Sequence, residues 1–314
     1  MLAQRTLKTV AGDSHEPNAA EPLVRIGDIA TTLSQMIKSA MVFTSEHKKR
    51  FGDEPSTDSR AQLEYAANMN SSVGRRLDVE WTHDSAGAIY IPSAGQLLSA
   101  LTRLLSSEVE LFAYQVVARS VVEYAAKAWW LVDDDASADQ RLARFYLDNL
   151  INLVEMAKAD RLPDAELSKE RDDLIKRAAR SGLKAVLTKK GELNGFGEAT
   201  KIGSTTLVGR FFRALGYDDG ALWYRRFSAV IHGTPYGLLD FYKMRNATGS
   251  DYGIFEPTLP VEAIREAAII STQAYLGAVE YDCRHNGWDF EHVGEYRQEI
   301  FHRMSSLMPD DLEK

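Results

Sequence analysis

The segment YRRFSAVIHGTPYGL, residues 224–238, gathers side chains that can act on an anion. On a helix turning every 3.6 residues, Arg225 and His232 are seven apart and fall on nearly one face. Ser228, four before His232, sits between them, and Arg226 is rotated away by about a third of a turn. Gly233 and Pro235 predict that the helix stops at once, with His232 in its last turn. The helix dipole favours an imidazolium there. One helix end thus offers a fixed cation, a titratable base and a hydroxyl, a set that suits a phosphodiester. The same residues also have a structural use: a histidine in a last turn can bond free carbonyls, and a Ser–His contact can close a buried polar gap.

Arg119 and Glu123 form a second constellation, an i,i+4 pair inside an otherwise apolar helix, with Arg119 just before the run SVVEYAAKAWWLV. In a bundle core both charges need partners, because breaking such a pair is strongly destabilising. The pair reads either as a buried structural ion pair or as the lining of a pocket that also includes His232, with Tyr236 as a binding neighbour. Two other arginine–histidine pairs have comparable spacing, Arg76–His83 in RLDVEWTH and Arg297–His302 in RQEIFH. The latter is expected on the solvated face of a terminal helix. The sequence has no Gly-rich phosphate loop after a strand, no Gly-x-Ser-x-Gly elbow and no His-Glu-x-x-His helix. The run Asp133–Asp135 is expected to cap a helix, and neither a metal nor a cofactor is expected. Cys283 is the single cysteine, so no disulfide framework or thiolate zinc site is available.

The elements that position these residues read as helices almost throughout, because apolar residues recur at helical spacing. Helices are expected over Val24–Phe51, Ser59–Arg75, Ser93–Val132 with a break near Ser106–Ser107, and from Pro163 to Gly182. Ser137 and Gln140 have the spacing of a capping box that starts the helix between them. Further helices are expected at Ser204–Leu215, Gly220–His232, after Pro260, and at Phe290–Leu307. The segment 81–95 reads as a loop, and residues 183–203 as an irregular insertion with a small hairpin turning at Lys190-Gly191. The fold class is therefore all-α, a multi-helix bundle. Residues 1–22 read as a disordered leader and 23–308 as one helical domain, with an N-terminal helical hairpin over 23–80.

With 45% hydrophobic and 26% charged residues, the 314-residue chain is of ordinary globular composition. Its formal net charge of -8 excludes a general nucleic-acid coat but leaves room for a local basic patch, such as KRAARSGLKAVLTKK at 176–190. No stretch is long and apolar enough to span a membrane, and a cytoplasmic location is expected by default. Long apolar helices also lead us to expect a homodimer.

Arginine followed by histidine, with four to six residues between, resembles the motif of the HEPN superfamily of helical bundles; Arg225 and Arg226 both satisfy it with His232. YRRFSAVIHGTPYGL also resembles a Tyr…Ser…His-Gly segment of HEPN-like bacterial proteins, and Arg119 with SVVEYAAKAWWLVDDD resembles an Arg-x-x-x-Glu…Trp-Leu helix of uncharacterised bacterial helical proteins. The resemblance implies a HEPN-like core over 92–308 and a metal-independent ribonuclease or effector of bacterial antiviral or toxin–antitoxin defence. It implies RNA as substrate, two protomers sharing one cleft, and a protein partner such as an antitoxin. His232 would then serve as base or acid, Arg225 or Arg226 as phosphate clamp, and Ser228 would orient the imidazole. The alternative is a non-catalytic helical binding or scaffold protein in which the Arg/Ser/His cluster is structural. A third class, an enzyme on a small anionic substrate, stays open.

Overall fold

The computed structural model describes residues 20–51, 54–105, 112–159, 161–238, 241–246, 253–257 and 261–307. It is an all-α multi-helix bundle with two small antiparallel sheets. The helices in chain order are α1 (Ala20–Phe51), α2 (Arg60–Ala67), α3 (Val73–Asp84), α4 (Ile91–Leu105), α5 (Ala113–Val132), α6 (Ala138–Lys158) and α7 (Asp164–Arg180). The strands β1 (Ala185–Leu187), β2 (Leu193–Phe196) and β3 (Ala199–Thr200) follow, then α8 (Ser204–Ala214), α9 (Gly220–Ile231) and α10 (Pro235–Leu238). A hairpin of β4 (Tyr242–Asn246) and β5 (Gly253–Pro257) precedes α11 (Val261–Asn286) and α12 (Phe290–Ser305). The start of α1 takes in the last residues of the expected leader; the rest of that leader and the expected break near Ser106–Ser107 lie outside the described residues.

The centre of the bundle is α5 packed along α11, with α4 and α1 on one side and α8 and α9 on the other. Both central helices are apolar around most of their circumference, as an element enclosed on all sides must be. Trp129 and Trp130 of α5 are both buried and point apart. Trp129 meets Phe211 and Tyr281, whereas Trp130 lies under the Arg144 guanidinium at the wall of a small cleft. On α6, Ser137 and Gln140 form the expected capping box. The adjacent Asp133 does not cap; its carboxylate pairs with Arg144 at 3.0 Å.

Four expectations need correction. The helix expected over Ser59–Arg75 is two helices, broken after Ala67 where Asn68 folds its side chain back to the Glu64 carbonyl and Ser72 starts α3 by accepting from Arg75 N. Asn and Ser side chains compete for backbone groups, so a cluster of them ends one helix and caps the next. The hairpin expected over 23–80 is accordingly three helices. The loop expected at 81–95 is helical, because α3 runs through a π-helical turn at Ser85–Tyr90 straight into α4. Ala86, Tyr90, Ile91 and Ala94 along this stretch are all buried. The insertion at 183–203 is a three-stranded meander rather than a single hairpin; Gly191 takes φ +81° in its first turn, where Thr188 Oγ1 accepts from Lys190 N and Glu192 N.

Burying α11 also buries acids. Asp282 is 6% exposed, and burial pushes its carboxyl up to about 6, against the Lys48 ammonium and a 3.1 Å bond from Asn286 Nδ2, which act the other way. A raised carboxyl pKa means the native state holds the proton more tightly than the unfolded chain does. Stability is therefore lost as pH rises from 3.8 through 6, and the loss is complete above that window. Asp282→Asn keeps the Asn286 bond and removes the charge. Its gain in unfolding free energy over wild type should be about 2 kcal/mol larger at pH 8 than at pH 4.5. Denaturant titrations of both proteins at the two pH values measure that difference.

Candidate functional site

The α8–α9 pair places the predicted site. Gly220 opens α9 where a Cβ would lie 2.3 Å from Phe212 Cβ, so the two helices cross in close contact. Tyr224 and Phe227 are the inward residues of α9 and are buried against α5 and the core. The Tyr224 hydroxyl accepts from Arg119 Nε at 3.1 Å and Nη2 at 2.8 Å and donates to Glu123 Oε1, while Arg119 Nη2 also donates to Glu123 at 3.0 Å. The guanidinium additionally lies 5.2 Å from the Tyr224 ring centroid. Burial, then the Glu123 bond, raises the phenol above its ordinary range, so it stays a protonated donor.

This three-residue lock engages both charges of α5. Arg119 and Glu123 close on Tyr224, and His232 is not part of that group. Neither cleft beside α9 is lined by Arg119, Glu123 or His232. The pair is half-buried rather than core-enclosed, with side chains 24% and 29% exposed. Sequence reasoning missed Tyr224, although its place one residue before Arg225 turns it about 100° away around the helix.

On the outward side, Arg225 and His232 are exposed and Ser228 is partly buried. Among the described residues, neither Arg225 nor His232 makes a side-chain hydrogen bond or ion pair. Arg226 behaves differently: its Nη1 donates to Glu266 Oε1 of α11 at 2.6 Å. His232 is the residue that ends α9, one step beyond the last helical turn, and its N–H donates to the Ser228 carbonyl at 2.9 Å. The Ser228 contribution described is thus through its backbone. Gly233 takes φ +61°, and its N–H donates to Val230 O, closing the helix in the left-handed manner that glycine allows.

The chain then doubles back. Thr234 Oγ1 accepts from Gly237 N at 3.2 Å and starts the short α10, and a Cβ on Gly237 would lie 2.3 Å from the Ala229 carbonyl carbon. His-Gly-Thr-Pro-Tyr-Gly is therefore a tight reversal that holds His232 at a corner. The Tyr236 side chain lies outside the described residues.

The rival motifs dissolve in three dimensions. Arg297 is buried, with Nε donating to Glu280 Oε2 at 2.9 Å, whereas His302 is exposed. Arg297 thus corrects the expectation of a solvated face: it packs against α11 because Glu280 there needs a cation. Arg76 donates to the Met69 carbonyl, and His83 faces Glu64 instead. Part of the basic run 176–190 is also engaged, Lys176 with Asp173 and Arg177 with Asp78.

The best-formed concavity near α9 is a cleft of about 570 Å³ between α9, α11 and α12, in which Tyr217, Trp223 and Phe301 supply aromatic walls. Arg226 of α9 pairs with Glu266 of α11 beside it, and Arg265 pairs with Glu262 along α11. A mixed charge set of this kind suits a small polar or zwitterionic ligand with an aromatic part. Comparison with protein-family models, with curated proteins and with solved structures finds no match.

Tyr224→Phe should keep the ring packing and strip the hydroxyl that serves both Arg119 and Glu123. Leaving those two charged groups short of a partner should cost about 1–2 kcal/mol of unfolding free energy, read by chemical denaturation against wild type.

Proposed function

We propose that the protein is a HEPN-like, metal-independent ribonuclease acting at Arg225 and His232 as a homodimer, in the service of bacterial antiviral or toxin–antitoxin defence. The observation that carries the reading is the division of α9. Its inner face is bonded to α5, while Arg225 and His232 on the outer side stand exposed with their charges and lone pairs uncommitted. Structural arginines and histidines spend those groups inside the protein, as Arg226, Arg119 and Arg297 do here. Arg210 and Arg213 of α8 are also exposed, and neither α8 nor α9 carries an acidic residue, although Asp218 and Asp219 are exposed in the turn between them.

On this reading His232 takes the proton of a ribose 2′-hydroxyl, whose oxygen attacks the adjacent phosphorus. Arg225 balances the charge of the pentacoordinate phosphorane. The bond from phosphorus to the 5′ oxygen then breaks, that oxygen takes a proton from His232 of the partner subunit, and a 2′,3′-cyclic phosphate remains. Arg226 is assigned no part, because Glu266 already holds it.

A second reading, a non-catalytic helical binding protein, is favoured by the aromatic-walled cleft between α9, α11 and α12. Mixed RNA incubated with the full-length chain in the presence of EDTA separates the two. The nuclease reading expects cleavage, a loss of about 100-fold or more in His232→Ala, a comparable loss in Arg225→Ala, and retained activity in Arg226→Ala. Intact RNA after incubation with a folded, dimeric wild type sinks it and leaves the binding reading.

A further inference from the structure

Away from α9, three helices bring Glu64 of α2, His83 of α3 and His285 of α11 together. One ligand atom from each lies within 4.8 Å of the others. His83 Nε2 and Glu64 Oε2 are 3.3 Å apart, and the two imidazole rings meet edge to face with centroids 4.4 Å apart. His285 is 0% exposed, and neither of its ring nitrogens has a hydrogen-bond partner. A buried imidazole that leaves both a lone pair and an N–H unanswered is costly, and native interiors seldom tolerate one. The neighbouring His83 ring meets it by an edge contact and leaves both nitrogens without a bond.

Two imidazole nitrogens and one carboxylate oxygen are the donor set of zinc-type divalent ions, which take a fourth ligand from water when only three come from protein. We infer that Glu64, His83 and His285 bind one divalent transition-metal ion of the zinc type, which fastens α2 and α3 to the end of α11. The surroundings fit this assignment in two respects. Glu64 Oε1 is held by Arg60 at 3.3 Å and by Arg141, so Oε2 is left facing the histidines; hydrogen bonds to a ligating carboxylate of this kind orient it. His83 also lines a cleft of about 590 Å³ shared with Lys48, Glu80 and Asp282, which gives an ion and a water a path in.

The two arginines oppose a cation. Asp134, 3.9 Å from Arg60 and 3.5 Å from Arg284, offsets part of that charge. The site shares no residue with α9 and is a fastening, separate from the proposed nuclease chemistry.

The test uses the full-length, tag-free chain, stripped with EDTA and dialysed. Zinc is titrated against a chromophoric chelator, cobalt by its visible absorption, and Tm is recorded with and without zinc. One ion per chain, an intense tetrahedral cobalt spectrum and a zinc-dependent rise in Tm are expected. His83→Gln and His285→Gln should each weaken binding tenfold or more and abolish the rise, and His232→Ala should change neither. If His285→Gln fails to fold by circular dichroism, His83→Gln decides, since its side chain is at the cleft. Wild type that binds no zinc, or that binds it no better than His83→Gln does, overturns the inference.

Discussion

Burial of α11 along most of its length is the constraint on which the rest of the structure depends. Its small residues let α5, α4 and α1 approach, but it also carries Thr272, Gln273, Glu280, Asp282 and His285 into the interior. Each of these polar groups must be answered there or left costly. Thr272 bonds back to the Ala268 carbonyl; Gln273 accepts from Tyr217 and donates to the Arg297 carbonyl; Glu280 is held by Arg284 and Arg297. These answers fix where α12 and the turn after α8 must lie. A helix that looks like simple core from its composition therefore dictates the placement of its neighbours through its few polar side chains. Among the described residues the Ser271 hydroxyl and both His285 ring nitrogens receive no answer, and burial pushes the His285 imidazole down to about 2, so the ring stays neutral.

The same logic divides α9. Tyr224 answers two charges of α5 with one hydroxyl, and this fixes the rotation of α9 about its own axis. Arg225, about 100° further around the helix, is exposed. Arg226, facing α11, meets Glu266 and becomes a strut between two clefts. Arg225 and His232 meet nothing comparable. The contrast comes from rotation alone, since all four residues sit within one short helix and its first residue beyond.

Helix positions were legible in the sequence wherever apolar period and capping chemistry agreed, as at Ser137 with Gln140 or at Gly233 after His232. The π-helical turn at Ser85–Tyr90 was not, because its small residues, Ser85, Ala86, Gly87 and Ala88, mimic a loop. Nor was the break after Ala67 anticipated, although Asn68, Ser71 and Ser72 supply the side chains that cause it. For the site, spacing correctly separated Arg225 from Arg226 but gave no hint of which would find a carboxylate. Glu266 lies on another helix, and such partners are set by packing that local pattern does not encode. The Glu64, His83 and His285 group was invisible for the same reason, its members coming from three helices far apart in the chain.

A chain with a formal net charge of -8 is an unpromising partner for RNA when only the total is considered. Screening changes that comparison, because at physiological ionic strength charges more than about 8 Å apart scarcely feel one another across water. Arg210, Arg213 and Arg225 are exposed on α8 and α9 and none is ion-paired among the described residues, while Asp218 and Asp219 are exposed in the turn that joins the two helices. Much of the acidic excess is elsewhere, and several of its members, among them Glu64, Glu280 and Glu266, are already matched by arginines. The net charge therefore bears on solubility and on long-range encounter at low salt. The local sign along α9 is set by which charges the packing has left unmatched: Arg225 on its outer side, and Asp218 and Asp219 just before its first residue.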